Sequence, residues 1–65
     1  MLVTKMKEYR ARFNLSQDEL AEMVNVRRET INKLERGLYN PSLKLAMDIA
    51  NVFGTRIEDI FQFKD

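Results

Sequence analysis

Between Ser16 and Arg36 the apolar positions fall into two helical periods with a gap between them. Leu20, Ala21 and Val24 share one face of a helix, and Asn25 and Val26 then break the spacing. Ile31 and Leu34, three apart, begin a second period that stops at Gly37, the residue type most often found just past a helix end. Ser16 opens the first of these helices. Its hydroxyl accepts from an amide one turn in, and Glu19 reaches back to the Ser16 amide, so the two form a capping box. The predicted helices run over about 17–24 and 28–36. With about three residues between them they cannot pack antiparallel, and they must cross at a steep angle.

The rest of the chain reads as further short helices. One starts near Thr4 or Lys5, with Met6, Tyr9 and Phe13 inward and Lys5, Lys7, Glu8 and Arg12 outward. Asn14 ends it, because asparagine tolerates the left-handed conformation that glycine normally supplies, and Asn25 is suited to the same task. Pro41 biases Asn40 away from helix, so residues 38–42 form a loop. A fourth helix follows, capped by Ser42 or Asn40, with Leu43, Ala46, Ile49, Ala50 and Phe53 on or near its buried face and Gly54 at its end. Ile57, Ile60 and Phe61 mark a fifth, with Glu58 and Asp59 in its first turn. The expected fold is an all-α, compact five-helix bundle in one domain over residues 1–65. Phe61–Gln62–Phe63–Lys64 alternates apolar and polar positions as a half-buried strand does, and Leu2–Val3–Thr4 has strand propensity. The two ends are therefore expected to pair as a small antiparallel ribbon.

Charge changes the reading of the second motif helix. Arg27, Arg28, Lys33 and Arg36 outnumber Glu29 and Glu35, whereas the segment from Ser16 to Asn25 holds three acids and no base. Arg27 occupies the expected N-cap, where a residue that cannot cap costs roughly 1 kcal/mol. Two arginines there also oppose the positive end of the helix dipole. A position that breaks local rules without a packing gain points to function, and a guanidinium forks onto a phosphate or a guanine edge. The whole chain is nearly neutral at +1, so only the distribution of charge carries this signal.

Composition excludes more than it identifies. There is no cysteine and no histidine, hence no disulfide, no thiolate metal site and no Cys–His or Ser–His nucleophile pair. The acids are scattered, and Ser16 and Ser42 have capping explanations, so neither catalysis nor a metal or other cofactor is expected. No apolar run approaches the roughly 18 residues of a membrane span, and no signal peptide is apparent. A reducing cytoplasm is the expected location.

The chain resembles the lambda-repressor-like, XRE-type helix-turn-helix regulators, and in particular very short stand-alone repressors. The resemblance rests on Leu15–Ser16–Gln17–Asp18–Glu19–Leu20–Ala21, Thr30–Ile31, Leu34–Glu35–Arg36–Gly37, Tyr39–Asn40–Pro41–Ser42–Leu43 and Ile57–Glu58–Asp59–Ile60–Phe61, all in register. It implies that Gln17 lies against the DNA backbone and that Arg27, Arg28, Glu29, Asn32 and Lys33 face the major groove. Arg36 joins them as the last base of the same helix. Arg27 and Arg56 depart from the family's usual Ser or Thr caps, and Asn14 and Asn25 from its usual glycines. Arg10, on the edge of the inward face of the first helix, and Glu35, next to Leu34, are read as a semi-buried ion pair, which the resemblance supports.

The function expected is a sequence-specific regulator that binds double-stranded DNA, a repressor occupying a pseudo-palindromic operator as a homodimer, with no small-molecule ligand. The alternative is an antitoxin-like or co-activator-like module whose main partner is a protein. Self-association would use the bundle's own ends, with Leu2, Val3, Phe61 and Phe63 as the contact residues.

Overall fold

Four of the five helices stop in the same way. Asn14 (φ 56°), Asn25 (φ 59°), Gly37 (φ 72°) and Gly54 (φ 63°) each take the left-handed conformation. At each, the residue's own amide and the next one turn back to carbonyls of the last helical turn: Asn14 to Ala11 and Leu15 to Arg10, Asn25 to Glu22 and Val26 to Ala21, Gly37 to Leu34 and Leu38 to Lys33, Gly54 to Asn51 and Thr55 to Ala50. These bonds satisfy carbonyls that a helix end otherwise strands, and they reverse the chain within two residues. That is how so short a sequence packs five helices.

The computed structural model describes residues 1–64. The elements run β1 (Leu2–Thr4), α1 (Met6–Phe13), α2 (Gln17–Met23), α3 (Arg28–Glu35), α4 (Leu43–Phe53), α5 (Ile57–Ile60) and β2 (Phe61–Phe63). Ser16 and Glu19 form the capping box of α2, at 3.0 Å and 2.9 Å. The bond from the Ser16 backbone amide, then its hydroxyl, lowers the Glu19 carboxyl below its ordinary pKa. Ser42 is the cap of α4, its hydroxyl accepting from the Leu45 amide at 3.1 Å. Asp59, in the first turn of α5, accepts from the Thr55 hydroxyl at 2.8 Å and from Arg56, and these contacts hold its pKa below the usual value.

Met6, Leu20, Ile31, Leu34, Ile49 and Ile60 are sealed from solvent at the centre, one or two from each helix. Phe53 closes the α1 side, with the Tyr9 and Phe13 rings 5.5 Å and 5.3 Å from its own. Three sequence expectations change. Leu43 is 72% exposed, and Leu45 joins the core in its place. Around α4 Leu43 stands at the flank of the stripe formed by Leu45, Ala46, Ile49, Ala50 and Phe53, and it is also the helix's first residue. Phe13, the last residue of α1, packs on Phe53 by an edge and stays half exposed. Phe61 belongs to β2 and not to α5.

The two chain ends pair antiparallel, with Leu2 opposite Phe63, Val3 opposite Gln62 and Thr4 opposite Phe61. The Lys5 amide donates to the Ile60 carbonyl at 2.8 Å, which locks the start of α1 to the end of α5. An isolated two-stranded ribbon is marginal in water. This one is seated on the C-terminal end of α3: a Cβ added at Gly37 would stand 2.5 Å from the Leu2 carbonyl oxygen. At Gly54 an added Cβ would meet nothing within 4 Å.

This contrast gives a paired test. Gly54→Ala carries only the left-handed strain, about 1–2 kcal/mol. Gly37→Ala carries the same strain and must also displace β1. Thermal melts should therefore show the larger loss at Gly37, and equal losses would mean that the ribbon is not seated there.

Candidate nucleic-acid interface

Helix α3 is anchored by Ile31 and Leu34, both fully buried, which fixes the opposite side outward. Arg28, Glu29 and Lys33 are exposed along that side, Asn32 is partly exposed, and Arg27 and Arg36 flank it at the two ends. Arg28, Glu29, Asn32, Lys33 and Arg36 line a shallow depression of about 260 Å³. The structure thus gathers Arg28, Glu29, Asn32, Lys33 and Arg36 on one side of this helix, while Arg27, at its N-cap, does not line the depression. Arg27 has extended backbone geometry (φ −80°, ψ 153°) and makes no side-chain cap. The first-turn amides of α3 consequently lack the side-chain acceptor that Ser16 gives α2 and Ser42 gives α4.

The angle of this helix is set from behind. Arg10 Nε donates to Glu35 Oε2, and Arg10 Nη2 donates to Glu35 Oε1 at 3.0 Å. The remaining terminal nitrogen of Arg10 donates to the Leu15 carbonyl at 3.0 Å. Gln17 Nε2 donates to Glu35 Oε1 at 3.1 Å. One carboxylate at the end of α3 thus ties together α1 and the first residue of α2, and Arg10 itself also holds the α1–α2 turn. The side chains of Arg10 and Glu35 are only 14% and 7% exposed. Among the described residues no buried side-chain polar atom lacks a partner. Gln17, which the resemblance implies lies against the DNA backbone, is held within the protein by its bond to Glu35, the last residue of α3.

Sequence reading did not single out Asp18, which lies 3.9 Å from Arg28 across the α2–α3 angle. No local pattern announced this contact, because ten positions separate the two residues and the angle between α2 and α3 sets their distance. A second groove, about 660 Å³, runs between the motif turn and α4 and is lined by Met23, Asn25, Ser42, Lys44, Asp48 and neighbours. Its Lys44 is paired with Asp48 at 2.7 Å, so this groove offers an anion less than the face of α3 does. Among the described residues no helix is long and apolar enough to cross a membrane, and no acidic cluster is suited to a metal ion.

The two apolar strands divide differently from expectation. Leu2 and Phe61 are 5% and 8% exposed and belong to the chain's own core. Directly opposed residues of an antiparallel pair share a face, so Leu2, Thr4, Phe61 and Phe63 point toward the bundle and Val3 with Gln62 point away. Phe63 lies at the ribbon's end and remains 70% exposed, and Val3 38%.

The sequence and the fold both match known proteins. A helix-turn-helix family model matches residues 6–60, which leaves both strands outside it. An HTH-type transcriptional regulator of Archaeoglobus fulgidus is 63% identical over 62 residues, covering 95% of this chain and 87% of that protein. The N-terminal DNA-binding domain of SinR from Bacillus subtilis superposes with a TM-score of 0.75 at 29% identity, covering 83% of this chain and 80% of that one. A solved structure from Bacteroides fragilis shares the fold over 95% of this chain and 100% of its own, with a TM-score of 0.82 at 19% identity.

Replacing the Arg10–Glu35 pair should be milder than breaking it. Arg10→Met strands a nearly buried carboxylate and should cost about 3 kcal/mol, the low end for a buried pair because Arg10 keeps some solvent contact. Arg10→Met combined with Glu35→Leu should recover much of that loss. Melts of both singles and the double decide it, and additive losses would mean that the two side chains act independently.

Proposed function

The chain belongs to the helix-turn-helix family of transcriptional regulators, and from that premise we propose that it reads a specific duplex DNA site with the exposed face of α3. The observation that carries this reading is the gathering of Arg28, Asn32, Lys33 and Arg36 around one depression, on a helix whose other side is fixed in the core. A major groove admits a helix of this kind, and side chains in its first turns reach base edges. Arg28 and Lys33 read bases, Asn32 and Glu29 contribute hydrogen bonds beside them, and Arg27 and Arg36 meet phosphates at the two ends. Gln17, steadied by Glu35, presents its side chain to the backbone of the adjacent strand. The chain acts as a repressor by covering a promoter.

A single short helix makes a small interface, and two copies about 34 Å apart on a pseudo-palindrome are the usual remedy. The ribbon is the proposed joint. It lies outside the matched family region, and Phe63 is exposed at its end with Val3 on its outer face. Leu2 and Phe61, committed to the core, support the joint from behind.

Selection from a random duplex pool should return one motif with twofold symmetry. Arg28→Ala should then lose about 1–3 kcal/mol on that site and far less on random DNA. An equal loss on both would make Arg28 a phosphate contact. Light scattering at micromolar concentration should give about twice the chain mass, and a value near 7.7 kDa would exclude the dimer. If the dimer forms, Phe63→Glu should separate it and weaken operator binding while circular dichroism stays nearly unchanged.

A further inference from the structure

Among the described residues, Arg28 is the exposed base of α3 that faces an acid from another helix. Its Nε lies 3.9 Å from Asp18 Oδ1, and the two side chains are 63% and 71% exposed. The distance is too long for a hydrogen bond, so the contact is a Coulombic tether with room for the guanidinium to move. Asp18 is the second residue of α2, next to Gln17, on the side of the motif where α2 and α3 meet. An acid at this place is costly for a protein whose partner is a polyanion.

We infer that Asp18 is a positioning residue that sets DNA specificity by holding the Nε side of the Arg28 guanidinium. This inference rests on the DNA-binding reading above. A guanidinium presents its N–H groups in a fixed planar fork. Nε is the nitrogen nearest Asp18, and the two terminal nitrogens donate no hydrogen bond among the described residues. These are the atoms that grip the N7 and O6 of guanine end-on. The same carboxylate works against indiscriminate binding. On a random sequence Arg28 has no base to grip, and Asp18 both competes with phosphate for the guanidinium and repels the backbone. On the chosen site the guanidinium is engaged by the base while Asp18 stays beside it, so the repulsion is partly neutralised. Asp18 therefore lowers affinity everywhere, and lowers it least at the correct site.

The test is Asp18→Asn, which keeps the shape and removes the charge. Binding is measured on the duplex obtained by selection and on random duplex of the same length, across a salt series. Affinity for random DNA should rise, and the ratio of specific to random affinity should fall about two- to fivefold, the range an exposed ion pair is worth. The salt slope on random DNA should steepen by about one phosphate contact as Arg28 is released to the backbone. Asp18→Glu should keep most of the discrimination. With Arg28→Ala already present, Asp18→Asn should no longer move the ratio. A loss of a helix-dipole contact alone would shift stability and leave the ratio untouched, so an unchanged ratio overturns the role. The same fall in ratio without Arg28 overturns it as well. If the unmodified chain shows no preference for any selected duplex, the DNA-binding reading itself fails, and the role of Asp18 falls with it.

Discussion

The carboxylate of Glu35 is the point on which the motif's geometry depends. It stands at the last residue of α3, 7% exposed, and takes hydrogen bonds from Arg10 of α1 and Gln17 of α2. Helices α2 and α3 are too short to be stable alone and owe their existence to tertiary packing. Apolar contacts would hold them together over a range of angles. A two-pronged Arg–carboxylate contact, shared with a glutamine amide, is satisfied over a much narrower range. Such pairs add little net stability relative to well-packed apolar residues, and what they define here is the angle of α3 against its neighbours.

That definition matters because α3 itself is poorly optimised as a helix. Its N-cap is an arginine that makes no cap, and Arg28 follows at the positive end of the dipole. Helices α2 and α4, whose N-termini are closed by Ser16 and Ser42, show the ordinary solution in the same chain. Uncapped amides and clustered bases make the start of α3 a place where an anion is welcome, and the core and the Glu35 node offset the cost. Asp18 adds a restraint on the opposite sign of charge, held across the crossing of the two helices.

The ribbon connects the chain ends to this same helix. β1 approaches the end of α3 closely enough that only a residue without a Cβ fits at Gly37. The glycine therefore does two things, closing α3 in the left-handed conformation and making room for the Leu2 backbone. Leu2 and Phe61 fill the core beneath, and Phe63 protrudes. Any partner that grips the ribbon is mechanically in contact with the C-terminal end of α3.

The sequence by itself determined the five helices and most of their ends, because caps, left-handed asparagines and apolar spacing are local and each has few solutions. It also determined which residues of α3 face outward, since Ile31 and Leu34 leave only one inward side. The antiparallel pairing of the two ends was legible from the alternation of Phe61–Gln62–Phe63 and the strand propensity of Leu2–Val3–Thr4, whereas the register came only with the structure. Tertiary structure alone decided where the edges of the buried stripe fall on each helix, and on α4 it takes in Leu45 and leaves Leu43 exposed. It decided that Leu2 and Phe61 turn inward, a choice that strand alternation permits in either sense until the ribbon is placed on the bundle. It also decided that Gln17 bonds to Glu35 and that Asp18 faces Arg28, pairs separated by 18 and 10 positions. Those distances are set by the angle between helices, and no local pattern in the chain carries that angle.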